Sequence, residues 1–261
     1  MIADLAFGIT AAVRPDHARL GAEVERLDYR ELWVNDTPRG DGLATLSAAA
    51  SDTQSLRFGV GVIALSAHAP AVIVERVEAA TLPTDRLTVG VGSGSSASLQ
   101  LVRDSVVELR RLVPDLSIAV AAVGPQMAHL AGEIADAVVA NWALPDRLAW
   151  IRERVAKGAY AAGHPNPRLV AYVRTAVGPR AADRLQAEMD RYRGYGAHYA
   201  RAFDAQPAGP IGVAVESGDP VEVATALAPY RSVADTLVIR GLPPDDSVDH
   251  WLQIAAVIDC R

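Results

Sequence analysis

The stretch Leu87–Ala140, LTVGVGSGSSASLQLVRDSVVELRRLVPDLSIAVAAVGPQMAHLAGEIADAVVA, holds three short apolar runs separated by two segments of helical period. Leu87–Val91, Ser117–Ala122 and Ala137–Ala140 are apolar at nearly every position, as parallel strands covered on both faces require. Between them, Leu99, Val102, Val106, Leu109 and Val113 fall at i, i+3, i+7, i+10 and i+14, one face of a helix over Leu99–Leu112. The second connector, Pro125–Glu133, opens on a proline, which suits the first helical turn. Strand and helix alternate, which is the grammar of an α/β fold.

The same alternation runs outward in both directions. Upstream, Ala3–Ile9, Glu31–Val34 and Arg57–Leu65 read as strands. Asp16–Leu27 (preceded by Pro15), Leu43–Thr53 and Ala71–Leu82 read as the helices that follow them. Downstream, Pro145–Tyr160 reads as a helix and Leu169–Val177 as a seventh strand. Ala181–Tyr192, Ala197–Phe203 and Val221–Leu227 form an irregular helical region, followed by an eighth strand at Thr236–Ile239 and a last helix at Val248–Ile258. Ile211–Val215 is either loop or a small extra strand. Eight βα units over 261 residues match a (β/α)8 TIM barrel forming one domain over residues 1–261. An open doubly wound sheet is the alternative, since strand order is not legible in sequence.

Composition excludes several functions. Half of the residues are hydrophobic and the formal net charge is −6, with no basic run, so nothing favours nucleic acid or an anionic membrane surface. Lys157 is the one lysine; every other basic residue is arginine. The one cysteine, Cys260, reads as a surface thiol that suits a reducing compartment. With no secretory leader and no apolar run of roughly 18 residues, the chain is expected to be cytoplasmic. No HxH, HExxH or GxSxG spacing occurs, so neither a metal site nor a hydrolase elbow is expected.

In a barrel, chemistry sits where strands end in loops. Those ends carry Gly8 and Thr10; Asn35, Asp36 and Thr37; Ser66 and His68; Gly92, Ser93 and Gly94; Val123, Gly124 and Pro125; Asn141 and Trp142; Arg174 and Thr175; Arg240 and Gly241. Small and polar residues gather on one rim, as a cofactor pocket needs and as βα turns also favour. Gly90–Gly94 lacks the third glycine of a dinucleotide fingerprint, but its bare amides can approach a planar ring or an anion. The helix opening at Pro125 aims its N–H groups at the same rim, where a phosphate binds without lysine, or the run is an ordinary βα turn. His68 is a proton donor, a pocket wall or a solvated loop residue. Trp142 is a core cap or an aromatic wall. His17, His129, His164, His198 and His250 read as surface residues, and Trp33, Trp150 and Trp251 as packing. Asp85, before the fourth strand, belongs to the barrel bottom.

Three segments occur in a familiar order: Arg57–Pro70, running into Ser66-Ala67-His68-Ala69-Pro70; Leu82–Gly94; and Gly124–Asp136, continued by Asn141–Pro145. Together they resemble the bacterial luciferase-like family of flavin- and deazaflavin-dependent oxidoreductases, of which this chain looks like a shortened member. The resemblance implies a barrel that binds coenzyme F420, or alternatively FMN, at its carboxyl rim. It implies Val123, Gly124 and Pro125 at the phosphate side with Asn141 and Trp142 beside them. The ring would lie near Ala64 and Ser66, with a non-proline cis peptide in that region, bordered by Gly92, Ser93 and Gly94. It further implies a homodimer. Apart from the resemblance, Asp36 and His68 are the residues expected to make the catalytic polar contacts to a small organic substrate.

Two departures stand out. One helix alone separates Gly94 from the strand at Ser117, where larger members carry a long insertion, so the pocket is expected to be either shallow or covered by the Gly194–Gly209 region or a dimer partner. Asn35-Asp36 stands where the family has a catalytic histidine after strand two. The expected activity is hydride transfer between F420 or FMN and the substrate; the alternative is a non-catalytic barrel that holds a cofactor or another phosphate ligand.

Overall fold

The computed structural model describes residues 3–12, 14 and 16–258. Pro15 and Cys260, both singled out by sequence, lie outside the described residues. Among the described residues nine strands form: β1 (Asp4–Thr10), β2 (Glu31–Asn35), β3 (Arg57–Ala64), β4 (Leu87–Gly92), β5 (Ser117–Ala121), β6 (Ala137–Asn141), β7 (Arg168–Val177), β8 (Val213–Val215) and β9 (Thr236–Gly241). The helices are α1 (His17–Arg26), α2 (Gly42–Ala50), α3 (Pro70–Ala80), α4 (Leu99–Leu112), α5 (Pro125–Ile134) and α6 (Pro145–Ala162). After β7 come α7 (Ala181–Arg193) and α8 (Ala197–Asp204), then α9 (Pro220–Arg231) and α10 (Val248–Val257).

All strand pairs are parallel, and the order β6-β5-β4-β3-β2-β1-β9-β7 closes on itself through β6–β7 pairing. Closure removes both sheet edges and excludes the open doubly wound alternative. The chain is an eight-stranded TIM barrel whose eighth barrel strand is β9. The stretch left open between loop and strand forms β8, three residues long, which pairs with the far end of β7 over Thr175–Val177. No helix among the described residues is long and apolar enough to cross a membrane.

The barrel interior explains the small residues within the strands. Ala6, Ala119, Ala137, Val139, Val170 and Val238 leave room for two large rings, Trp33 and Tyr172, which meet edge to face at 5.8 Å. Gly59 is required by the first of them, because a Cβ there would stand 2.2 Å from the Trp33 indole. The floor is polar and closed. Glu31, 1% exposed, accepts a 2.6 Å hydrogen bond from Trp33 Nε1 and ion-pairs with both Arg57 (2.9 Å) and Arg168. Arg168 also donates to Thr236 Oγ1 at 2.8 Å, so four strand starts are tied to one carboxylate. The Thr84–Arg86 turn lies at this end too, as expected of Asp85.

One histidine departs from its sequence reading. His17 is fully buried at the start of α1, stacked on Trp251 of α10 with centroids 6.1 Å apart. Its Nδ1 accepts from Arg14 N at 3.1 Å, and Nε2 has no partner among the described residues. Burial holds this imidazole below its usual 6.5. The unfolded chain therefore takes up a proton near pH 6.5 that the folded chain refuses, so stability falls as pH drops through that value. We expect His17→Gln to lose less of its melting temperature than the parent chain between neutral pH and about pH 5, and an equal loss would remove His17 from this account.

Candidate functional site

Two adjoining cavities open at the carboxyl ends of β3, β4, β5 and β6, of about 570 Å³ and 150 Å³. Val62, Ala121, Val123 and Tyr199 line both. Small side chains make the floor of the larger one: Val62 and Ala64 of β3, Gly92 at the end of β4 and Ala121 of β5. One wall is the turn after β4, Ser93–Ala97, and another is the start of α5, Gly124–Met127. The roof is contributed by Tyr195 and by His198, Tyr199 and Arg201 of α8. The Gly194–Gly209 region thus covers the pocket, as the missing insertion had suggested.

The α5 wall presents free backbone N–H groups to the cavity mouth. Gly124 caps the helix with its backbone alone, and the first intrahelical bond is Ala128 N to Gly124 O, leaving the amides of Gln126 and Met127 unclaimed among the described residues. A Cβ on Gly124 would meet nothing within 4 Å, so this position faces open space. Arg147 closes the back of the turn by donating to Val123 O at 2.8 Å while its guanidinium stacks 3.7 Å from the Trp150 ring centroid.

Beneath the smaller cavity lies a network of buried cations. Asn35 Nδ2 donates to Gly61 O (2.9 Å) and its Oδ1 accepts from Arg240 Nε (2.8 Å). Asn141 Oδ1 accepts from Arg174 Nη1 (2.5 Å), and Arg174 Nη2 donates to Tyr192 OH (2.8 Å). Arg174 is 1% exposed and Arg240 4%. Burial, with the Arg174 charge nearby, pulls the Arg240 guanidinium below its ordinary range. Arg174 also ion-pairs with the buried Glu188, Nε to Oε1 at 3.8 Å, so a carboxylate partly offsets the two guanidiniums.

Two tyrosines, Tyr172 and Tyr199, supply neutral donors. Burial raises Tyr172 well above 10 and, together with Tyr192 nearby, pushes Tyr199 up to about 12, so both keep their protons at neutral pH. Tyr172 OH has no hydrogen-bond partner among the described residues, although the residue lines the smaller cavity and is 3% exposed. Gly61 makes room for it: a Cβ there would stand 2.5 Å from that oxygen.

Of the residues singled out by sequence, Ala64, Gly92, Ser93, Gly94, Val123, Gly124 and Pro125 line the larger cavity, and Asn141 and Asp36 the smaller. Ser66 stands behind the lining, where its Oγ accepts from Ser95 N at 3.2 Å and braces the turn after β4. Trp142 is not a wall. A left-handed backbone (φ 54°) turns it away from the mouth, and it packs, 2% exposed, against Tyr192 and Phe203 at 5.1 and 5.2 Å. The Asp36 carboxylate is already engaged, by Arg76 at 2.6 Å and Gly42 N at 2.8 Å. His68 lies in the turn after β3, half-buried, and lines neither cavity. The cis peptide is at Gly61–Val62, inside β3, rather than near Ala64–Ser66.

Sequence reasoning named the Gly194–Gly209 region as a cover but missed the aromatic side chains that build it. Tyr192, Tyr195, Tyr199 and Phe203 recur at helical spacing, the signal that could have found them. It also missed Gln206, which fastens α8 to the end of β6: Oε1 accepts from Leu144 N (2.8 Å), while Nε2 donates to Trp142 O and Ala202 O (both 2.9 Å).

A family model described as luciferase-like monooxygenase matches residues 6–105 and 100–242 of the chain. Among solved structures, an F420-dependent secondary alcohol dehydrogenase in complex with an F420-acetone adduct superposes with a TM-score of 0.76 at 15% identity, covering 100% of this chain and 99% of that one. The oxygenating constituent of 3,6-diketocamphane monooxygenase from Pseudomonas putida, in complex with FMN, gives 0.68 at 15% identity over 98% and 96%. A curated relative, the 4-hydroxyprotoasukamycin monooxygenase of Streptomyces nodosus subsp. asukaensis, is 35% identical over 83 residues, which is 29% of this chain and 22% of that protein.

Proposed function

The chain is an oxidoreductase of the luciferase-like monooxygenase family, and on that premise we propose that it transfers hydride between coenzyme F420, with FMN as the alternative, and a small organic substrate. The observation that carries the proposal is the larger cavity, floored by small residues and adjoining a helix N-terminus. Its volume of about 570 Å³ lies within the usual range for cofactor pockets, about 300–1,000 Å³. The residues present fit a phosphorylated, flat-ringed molecule. When bound, the ring supplies the hydride chemistry.

The rest falls to the chain itself. Gln126 and Met127 would hold the phosphate through their amides. Val62, Ala64, Gly92 and Ala121 would support the ring's face without side-chain bulk. Arg174 and Arg240, buried beneath, favour an electron-rich ring, because positive charge in a poorly solvated setting acts strongly. Tyr199, on the border of the two cavities and neutral, would donate a hydrogen bond to a substrate oxygen. The α8 roof keeps water from the reacting atoms.

The F420 choice draws support from the dehydrogenase superposition and the FMN alternative from the monooxygenase one. A second reading, a barrel that holds a cofactor without turnover, is favoured by two observations. Arg76 occupies the Asp36 carboxylate, and His68 lines neither cavity. Titrating the protein with oxidised and reduced F420 and FMN tests the binding, and F420 reduction across a panel of small alcohols separates the two readings. Binding of neither cofactor would overturn both.

Tyr172 provides an internal check. A buried hydroxyl without a partner destabilises the ligand-free protein and awaits one in the complex. We expect Tyr172→Phe to leave the ligand-free melting temperature unchanged or raise it by about 2–4 °C, and to weaken cofactor binding roughly three- to tenfold. A lower melting temperature with unaltered binding would contradict this role.

A further inference from the structure

Outside the barrel, between α4 and α5, a groove of about 390 Å³ continues from the larger cavity. Leu99, Pro125 and Gln126 line both, so the two spaces meet at the start of α5. The groove then follows α5 past His129 to Glu133, about 12 Å at 1.5 Å per residue, with Arg103 and Arg154 on its sides. Its one acid is spent: Glu133 is bound by Arg103 and approached by His129 Nε2 at 3.3 Å. Arg154 has no carboxylate among the described residues. Its guanidinium lies 5.4 Å from the Trp150 ring centroid, and its Nε is buried with no acceptor. A half-buried arginine with no carboxylate partner among the described residues, lining a groove that joins the cofactor cavity, calls for an anion that arrives on a flexible arm.

We infer that this groove receives the carboxylate-bearing tail of the cofactor, the oligoglutamate chain of F420, with Arg154 as its principal contact. The inference rests on the functional reading above and deepens it, because FMN ends at its phosphate and has no such arm. The phosphate would stay at Gln126 and Met127, and the tail would leave across Gln126 and run down the α4–α5 wall. The groove is then what selects F420 over FMN.

The test compares F420 bearing its glutamates with the same molecule lacking them, by equilibrium titration of the full chain at low and high salt. The expected result is a roughly three- to tenfold tighter binding of the tailed form, shrinking at high salt. Arg154→Gln should remove that advantage and leave the tail-less form bound as before. Free oligoglutamate should compete with the tailed form only, and its failure to do so would count against the groove. Equal affinity of the two forms for the parent chain would overturn the inference while leaving the functional reading in place. So would an equal loss for both forms in Arg154→Gln. Binding of neither form would instead overturn the functional reading, and the salt dependence of the parent chain keeps the test decisive if the variant folds poorly.

Discussion

Gly124→Phe should abolish cofactor binding, by about a hundredfold or more, in a protein that still folds. The position is unusual because its backbone (φ −110°, ψ 164°) suits any residue and the space beyond it is empty. A phenyl ring there strains nothing in the fold and projects toward the larger cavity, into the volume assigned to the phosphate and the ring edge. The helix loses a glycine cap for a poorer one, about 1 kcal/mol or less, which amounts to a few degrees of melting temperature. Calorimetric titration with F420 and FMN, beside a melting curve, measures both quantities. Undiminished binding would mean that the cofactor enters elsewhere.

Glu31→Ala should produce the largest loss of stability. The substitution leaves Arg168 and Arg57 without their shared carboxylate and Trp33 Nε1 without its acceptor, all at the closed end of the barrel. Removing one partner of a buried ion pair costs about 3–5 kcal/mol, far more than the pair's net worth, because the remaining charge stays desolvated. Arg57 is half-exposed and can turn to water, which lowers the figure toward the smaller value. The melting temperature should fall by roughly 10 °C. A fall of a degree or two would show that water already solvates this end. The rim lies at the opposite end of the strands, so residual folded protein should bind its cofactor as before.

The barrel was legible because its strands are apolar at nearly every position while its helices are apolar at every third or fourth. Those two periods do not overlap in Leu87–Ala140, and the rest of the chain follows them. What stayed open was short or tertiary. β8 is three residues long and exists because β7 outruns β6, whose side of the strand it then takes. His17 looked like a surface residue because nothing near it in sequence announces Trp251.

The site was half legible for the same reason. Gly92, Ser93, Gly94, Val123, Gly124 and Pro125 line the cavity because a strand end fixes which rim a residue occupies. It does not fix which way the side chain turns. Trp142 sits at the correct end, yet its left-handed backbone sends the ring beneath α7 and α8. Asp36 likewise reaches the smaller cavity, but Arg76, forty residues on, claims its carboxylate. The tyrosine roof was written in the sequence as a helical repeat of aromatics, in a segment whose irregularity hid it.

The account stands on where a flat ring sits, and a crystal structure of the protein grown with F420 locates it directly. The account predicts the ring lying on Val62 and Ala121 beneath Tyr199, with its phosphate at the amides of Gln126 and Met127. Density for the ring anywhere else, such as the groove between α6 and the Ser232–Asp235 turn before β9, would contradict it.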